Sequence, residues 1–187
     1  MTEVTTPRQT QQPLGATAVL DQATAAGPSL AKQARSIDHI AIAVHDLESS
    51  IDFYTNVLGF ELHERRKTEG KKTAMVSAVL KAGPLTVVLL EGTSPESQVS
   101  KFIEHYGAGV QHLAIAVEDL PAMAERLKQA GLEFDTTVIE SPGLRQIFTR
   151  RDPGSGIMIE FIERLGGDFN DQSVQNLFQQ LEQKDSY

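Results

Sequence analysis

The stretch His39-Ile-Ala-Ile-Ala-Val-His-Asp-Leu47 returns later in the chain as His112-Leu-Ala-Ile-Ala-Val-Glu-Asp-Leu120, and this repetition decides the reading of the fold. Each copy is a β-branched and alanine run of the kind that forms a strand. Each then reaches an aspartate, whose carboxylate accepts hydrogen bonds from the free amides of a first helical turn. A phrase repeated at this distance marks a duplicated structural unit, so its two histidines occupy equivalent places in two related modules.

Reading outward, the first copy predicts a strand from Ile37 to Val44 and a helix through Leu58 that stops at Gly59. Strands follow at about 60–66, 73–81 and 85–91. The second copy predicts a strand at 110–117, a helix over 121–130 that stops at Gly131, and strands near 133–139, 145–150 and 156–163. The expected fold class is α+β: two βαβββ modules, at about 36–92 and 109–165, paired within one domain over 35–165. Between them, Val99, Phe102 and Ile103 have the spacing of a short amphipathic helix. The segment 166–187 predicts a C-terminal helix from about Asp171 to Gln183, with Val174, Leu177, Phe178 and Leu181 on one face. Residues 1–34 are rich in Thr, Gln, Ala, Pro and Gly. Such a stretch buries too little apolar surface to offset ordering entropy, so a disordered tail is expected there.

With 187 residues and 40% apolar content, about one compact domain is expected. A net charge of -8 argues against nucleic-acid or anionic-membrane partners, which select basic surfaces. The chain contains no cysteine, which excludes disulfides, thiolate metal sites and cysteine nucleophiles. Any metal must therefore sit on His, Asp or Glu. The first residues lack the basic-then-apolar run of a secretory signal, and no apolar stretch approaches the roughly 20 residues that span a bilayer. These features predict a soluble, cytoplasmic protein that handles a small molecule.

Strand alternation puts His39, Ala41 and Ala43 on one face, and likewise His112, Ala114 and Ala116. Small alanines leave room beside each imidazole. Taken singly, each histidine is an ordinary half-buried strand residue; at equivalent repeat positions they become a candidate ligand pair. Glu160, inside the apolar strand Gly156-Ile-Met-Ile-Glu-Phe-Ile162, is the candidate third ligand, because a buried acid is costly unless paired or metal-bound. Two imidazoles and one carboxylate form the facial triad of non-haem Fe(II) oxygenases, which leaves positions for substrate and dioxygen. The same set also suits Mn, Co, Ni or Zn. His45, His63 and His105 have no matching partners and read as solvated; Glu91, at a strand end, reads as a turn or surface carboxylate.

Ile37-Asp-His-Ile-Ala-Ile-Ala-Val44 and Val110-Gln-His-Leu-Ala-Ile-Ala-Val117 resemble the strand motifs of the vicinal oxygen chelate superfamily, which includes glyoxalase I, methylmalonyl-CoA epimerase and extradiol dioxygenases. The resemblance covers about residues 36–165. Three segments, Ser97 to His112, Leu144 to Thr149 and Ile159 to Arg164, are more specifically similar to the catalytic domain of 4-hydroxyphenylpyruvate dioxygenase and hydroxymandelate synthase. The resemblance implies iron ligands at His39, His112 and Glu160, and substrate-pocket residues at Gln98, Gln111, Gln146 and Phe148. A pocket serine of the dioxygenases falls near Thr73, and a pocket asparagine falls at Leu90. The implied function is an Fe(II)-dependent dioxygenase of a small 2-oxo acid or similar chelating substrate, with dioxygen as co-substrate, no catalytic residue beyond the metal site, and a homodimer as the family expectation.

A metal-dependent epimerase, isomerase or lyase of the methylmalonyl-CoA epimerase and glyoxalase type is the alternative. There the resemblance places a fourth metal ligand at Val88 and a catalytic glutamate near Ser77, neither of which holds the required group. A metal-free binding module of the resistance type is the third reading.

Overall fold

The computed structural model describes residues 30–184. The tail expected over residues 1–29 lies outside the described residues. Residues 30–34, expected to belong to that tail, instead form helix α1 (Leu30–Gln33) and the first residue of strand β1 (Ala34–Ala43). Leu30 is the anchor: its side chain packs against the apolar cluster around Val117 and Leu120.

Helix α2 (Leu47–Asp52) starts where Asp46 Oδ1 accepts from the Ser49 amide at 2.8 Å, and it continues as a π-helical turn, Phe53–Val57. Gly59, at φ +77°, takes the left-handed conformation that ends this segment. Strands β2 (Glu61–Glu69), β3 (Ala74–Ala82) and β4 (Leu85–Gly92) complete the first module. After helix α3 (Gln98–Tyr106), the second module runs through β5 (Gly109–Val117), helix α4 (Leu120–Gln129), β6 (Ile139–Ser141), β7 (Leu144–Phe148) and β8 (Met158–Arg164). Helix α5 (Asp171–Lys184) follows.

One expected strand is largely absent. Within 133–139 only Ile139 is in a strand, apart from a single bridge between Phe134 and Thr149. The cause is a side chain that replaces the ladder: Thr136 Oγ1 accepts from the Phe148 amide at 2.9 Å, the amide a paired strand would have used.

The eight strands form one mixed, curled sheet in the order β2-β3-β4-β1-β5-β8-β7-β6. The modules join through the antiparallel β1–β5 pair, and each keeps one parallel neighbour, β4 beside β1 and β8 beside β5. This arrangement relates the halves by a pseudo-twofold axis. Opposite Ala41 in the first half stands Val88, and opposite the equivalent Ala114 in the second stands Glu160. Likewise Ser77 pairs with Leu90 as Gln146 pairs with Ile162, and Val79 pairs with Val88 as Phe148 pairs with Glu160.

Helices α2 and α4 cover the outer faces of the two halves over clusters that include Leu80 and Leu89 in one and Leu120 and Ile147 in the other. Each of these side chains is fully buried, which contributes about 1.5–3 kcal/mol apiece. The symmetry extends to the helix starts. Glu91, at the end of β4, accepts from the Leu47 amide at 2.7 Å; Glu163, near the end of β8, accepts from the Asp119 amide at 3.0 Å. Glu91 is thus a helix-capping acid rather than the turn or surface carboxylate expected from sequence. Helices α3 and α5 close the inner face over Ala41, Ala43 and Leu90, with Phe178 of α5 in the same cluster. Among the described residues no helix is long and apolar enough to cross a membrane.

Candidate metal centre

Strands β1, β5 and β8 run side by side, and their inward side chains bring His39, His112 and Glu160 to one point. One ligand atom from each lies within 4.8 Å of the other two. Glu160 Oε2 is 3.2 Å from His39 Nε2 and 3.5 Å from His112 Nε2. Donor atoms that each hold one ion at about 2.0–2.2 Å lie roughly 3–4 Å apart, so the cluster has the dimensions of a metal site. Glu160 is 1% exposed, and its Oε1 has no hydrogen-bond partner. A buried carboxylate oxygen left in that state costs several kcal/mol. A divalent cation would offset the cost, so the residues present fit a metal.

The outer nitrogens of the two imidazoles are held differently. His39 Nδ1 donates to Asp38 Oδ1 at 2.8 Å, and Asp38 is gripped in turn by Arg164, through Nε at 2.6 Å and Nη2 at 2.9 Å. His112 Nδ1 donates to the neutral amide oxygen Oε1 of Gln111. In both cases Nε2 is left to face the cluster, and the partner fixes ring and tautomer. Neighbours in a regular strand point to opposite faces, so Asp38 and Gln111 reach the adjacent histidines only because the β1–β5 ladder slips at those two points. His39 pairs with Ala114 and Ile37 with Ile115, which leaves Asp38 as an extra residue; Ala41 pairs with His112 and Ile42 with Val110, which leaves Gln111 extra.

Electrostatics separates the two rings. Burial disfavours the charged form of His39, but the carboxylates of Glu160 and Asp38 outweigh it and push the imidazole up to about 9. His112 is driven well below the ordinary histidine range by burial, by the charge of His39 and by the Arg151 guanidinium. Burial also opposes the charge on Asp38, but the bonds from Arg164 and His39 hold its carboxyl well below the usual carboxylate range.

A small cavity, partly open to solvent, begins at this cluster. Gln146 and Phe148 line it, as expected, and the Phe148 ring meets His112 edge-on at 5.2 Å. Gln146 is fully buried, and neither its Nε2 nor its Oε1 has a partner. The other expected pocket residues lie elsewhere. Gln111 supports His112, as described. Gln98 Nε2 donates to the Phe178 carbonyl of α5 at 2.9 Å, and Thr73 Oγ1 donates to Glu182 of α5 at 2.6 Å. Gln98 and Thr73 line a separate cleft with Lys72 and Glu96. Both are engaged by the C-terminal helix rather than turned to the cavity.

Sequence reasoning missed Asp38, Arg164 and Phe169. The Phe169 ring packs edge-on against His39 at 5.6 Å, and the Arg164 guanidinium lies over the same ring at 5.2 Å from its centroid. The Asp38-His39 dipeptide was a signal in view, but it acquires meaning only through the slipped register. Val88 and Ser77 both line the cavity, and Leu90 lies beside them.

The profile of the Glyoxalase/Bleomycin resistance protein/Dioxygenase superfamily matches residues 36–161, and the chain belongs to this superfamily. It is 34% identical over 97 residues to an ethylmalonyl-CoA/methylmalonyl-CoA epimerase of Cereibacter sphaeroides, covering 51% of this chain and 70% of that one. It is 29% identical over 106 residues to 4-hydroxyphenylpyruvate dioxygenase of Pseudomonas aeruginosa, covering 54% of this chain and 30% of the dioxygenase. The chain thus spans about a third of the length of that dioxygenase. Its fold is that of a 4-hydroxymandelate synthase mutant from Streptomyces coelicolor, with a TM-score of 0.73 at 24% identity, over 81% of this chain and 54% of the synthase.

Proposed function

We propose that the protein is an Fe(II)-dependent dioxygenase that acts on a small 2-oxo acid or a similar chelating molecule. The observation that carries this reading is the break in pseudo-symmetry at the metal centre. A symmetric pair of modules would place two histidines and two β-strand acids around the ion. The chain supplies His39, His112 and Glu160, and puts Val88 at the position equivalent to Glu160. Three protein ligands leave coordination positions for a bidentate substrate and dioxygen.

His39, His112 and Glu160 would hold the ion. Bound Fe(II) would supply chelation of the substrate and activation of dioxygen; in the oxidative decarboxylation of a 2-oxo acid, one oxygen atom of O2 ends in the shorter carboxylic acid as CO2 leaves and the other is inserted into the substrate's own side chain. The protein's residues do the rest. Asp38 and Gln111 keep both Nε2 atoms aimed at the ion. Gln146, with a free donor and a free acceptor, orients the polar head of the substrate. Phe148 and Phe169 wall the ligand set, and α5 keeps bulk water from the cavity.

The epimerase relative makes isomerase chemistry the competing reading. Ser77 weighs against it, because it lines the cavity at the position where the resemblance places a proton-transferring glutamate, and a serine there offers no such base. The test is oxygen uptake by anaerobically Fe(II)-loaded protein against a panel of alkyl and aryl 2-oxo acids. Substrate-dependent uptake supports the proposal. Bound metal with no uptake redirects it to an isomerase or lyase, and failure to bind any divalent metal redirects it to a binding module.

A further inference from the structure

We infer that the substrate carries a bare hydrocarbon group beyond its chelating head, branched aliphatic or phenyl, seated on the first module's half of the cavity. The inference rests on the proposed function for the nature of the head and on the cavity wall for the tail. Pseudo-symmetry allows the two halves to be compared position by position. Where the second module presents Phe148, Glu160 and Gln146, the first presents Val79, Val88 and Ser77. The metal ligands and the unpartnered amide of Gln146 gather on one side. The opposite side is hydrocarbon: Met75, Val79, Val88 and Leu90, faced by Val174 and Leu177 of α5.

The polar groups on this side are few and mostly engaged. Glu64 and Arg66 bond each other, and Arg66 also donates to the Phe169 carbonyl at 3.2 Å and pairs with Asp171 at 3.1 Å. What remains is the small Ser77 hydroxyl, next to Leu90 in the strand register. A hydroxyl or charge on the substrate's tail would be stripped of water against valines and leucines, with little beyond the Ser77 hydroxyl to replace it. A hydrocarbon tail has no such penalty and adds buried apolar area. A pocket of this kind disfavours an added hydroxyl by about 10- to 100-fold.

The experiment separates tail from head. The full chain, loaded with redox-inert Zn(II), is titrated calorimetrically with acetohydroxamic, phenylacetohydroxamic and 4-hydroxyphenylacetohydroxamic acids, which chelate divalent metals whatever reaction the site performs. Oxygen uptake by Fe(II) protein is measured in parallel with phenylpyruvate and 4-hydroxyphenylpyruvate. The expected result is phenyl binding about 10- to 100-fold tighter than hydroxyphenyl, with the bare acetyl head weakest. Leu90→Asn, close in shape and adjacent to Ser77, should shrink the ratio, and Ser77→Ala should leave it intact. Equal or tighter binding of the hydroxylated tail, equal binding of the bare head, no binding of any hydroxamate, or loss of phenyl binding in Ser77→Ala would overturn the inference. A tail preference without oxygen uptake would overturn the dioxygenase reading alone. If Leu90→Asn fails to fold by circular dichroism, the wild-type ratio decides.

Discussion

Val88 stands where the pseudo-twofold axis would place a second carboxylate, and the proposed chemistry turns on its inability to bind metal. Val88→Glu should therefore complete a four-ligand set. We expect tighter Zn(II) retention against a competing chelator together with loss of oxygen uptake, since an open coordination position has been filled. Unchanged uptake in a metal-loaded Val88→Glu protein would show that this position does not face the ion. On the opposite side, His112→Ala should abolish stoichiometric metal binding and turnover together. Asp38→Asn should keep the fold and weaken metal affinity by about 10–100-fold, the usual effect of losing a carboxylate behind a ligand histidine; a competitive chelator titration reads this directly. The three candidate ligands were legible because two recur in a repeat and the third is an acid in an otherwise apolar strand. The side chains behind them were not, because a slip of register at Asp38 and Gln111 sets their direction, and no periodicity in the sequence encodes a slip.

At the scale of elements, α5 is docked by polar contacts as well as by its apolar face. Glu182 near its end accepts from the amides of Lys71 at 2.8 Å and Thr73 at 2.9 Å, at the turn between β2 and β3. Its carboxyl is held below the ordinary glutamate range by the bonds from Thr73 and Lys71, which outweigh the opposing effect of burial. A carboxylate lowered on folding stabilises fully above its unfolded value, and the contribution fades as pH falls through the folded value. Glu182→Gln should accordingly speed hydrogen exchange at residues 71–73 and along α5 at neutral pH. The difference from wild type should begin to close only below about pH 4, near the free glutamate range, and vanish once pH falls beneath the lower folded value; a difference that persists in the fully protonated protein would assign the effect to shape rather than charge. The sequence showed α5 through its spaced Val174, Leu177, Phe178 and Leu181, yet could not show that Gln98 and Thr73 would bond to it. Those two residues matched a pocket pattern only along the chain, whereas their partners come from a helix far away in sequence. The missing strand after α4 is a similar case, where Thr136 exchanges a ladder bond for a side-chain one.

For the molecule as a whole, the ligand set draws on both modules, His39 from the first and His112 with Glu160 from the second. A bound ion would then cross-link the halves, and its binding energy becomes folding energy. At free metal 100-fold above its dissociation constant, stability should rise by about 2.7 kcal/mol. For a domain of this size that amounts to about 5–10 °C in melting temperature, to be lost on chelation; a melting curve indifferent to metal would mean that no ion bridges the modules. The βαβββ duplication and the order of most strands were readable from one repeated phrase, because a repeat carries its own topology. Which half carries most of the candidate ligands and which the apolar wall was not, since that depends on residues such as Val88 and Ser77 whose meaning appears only opposite their counterparts.

The unequal halves also bear on how the protein can change. Selection, or an engineer, can reshape Val79 or Leu90 to admit a different guest while β5 and β8 continue to hold His112 and Glu160 in place. The repeat thus leaves the chain with a first copy that keeps His39 yet has a wall free to vary and a second copy that holds the other two candidate ligands, so the wall can change without dismantling the candidate metal centre.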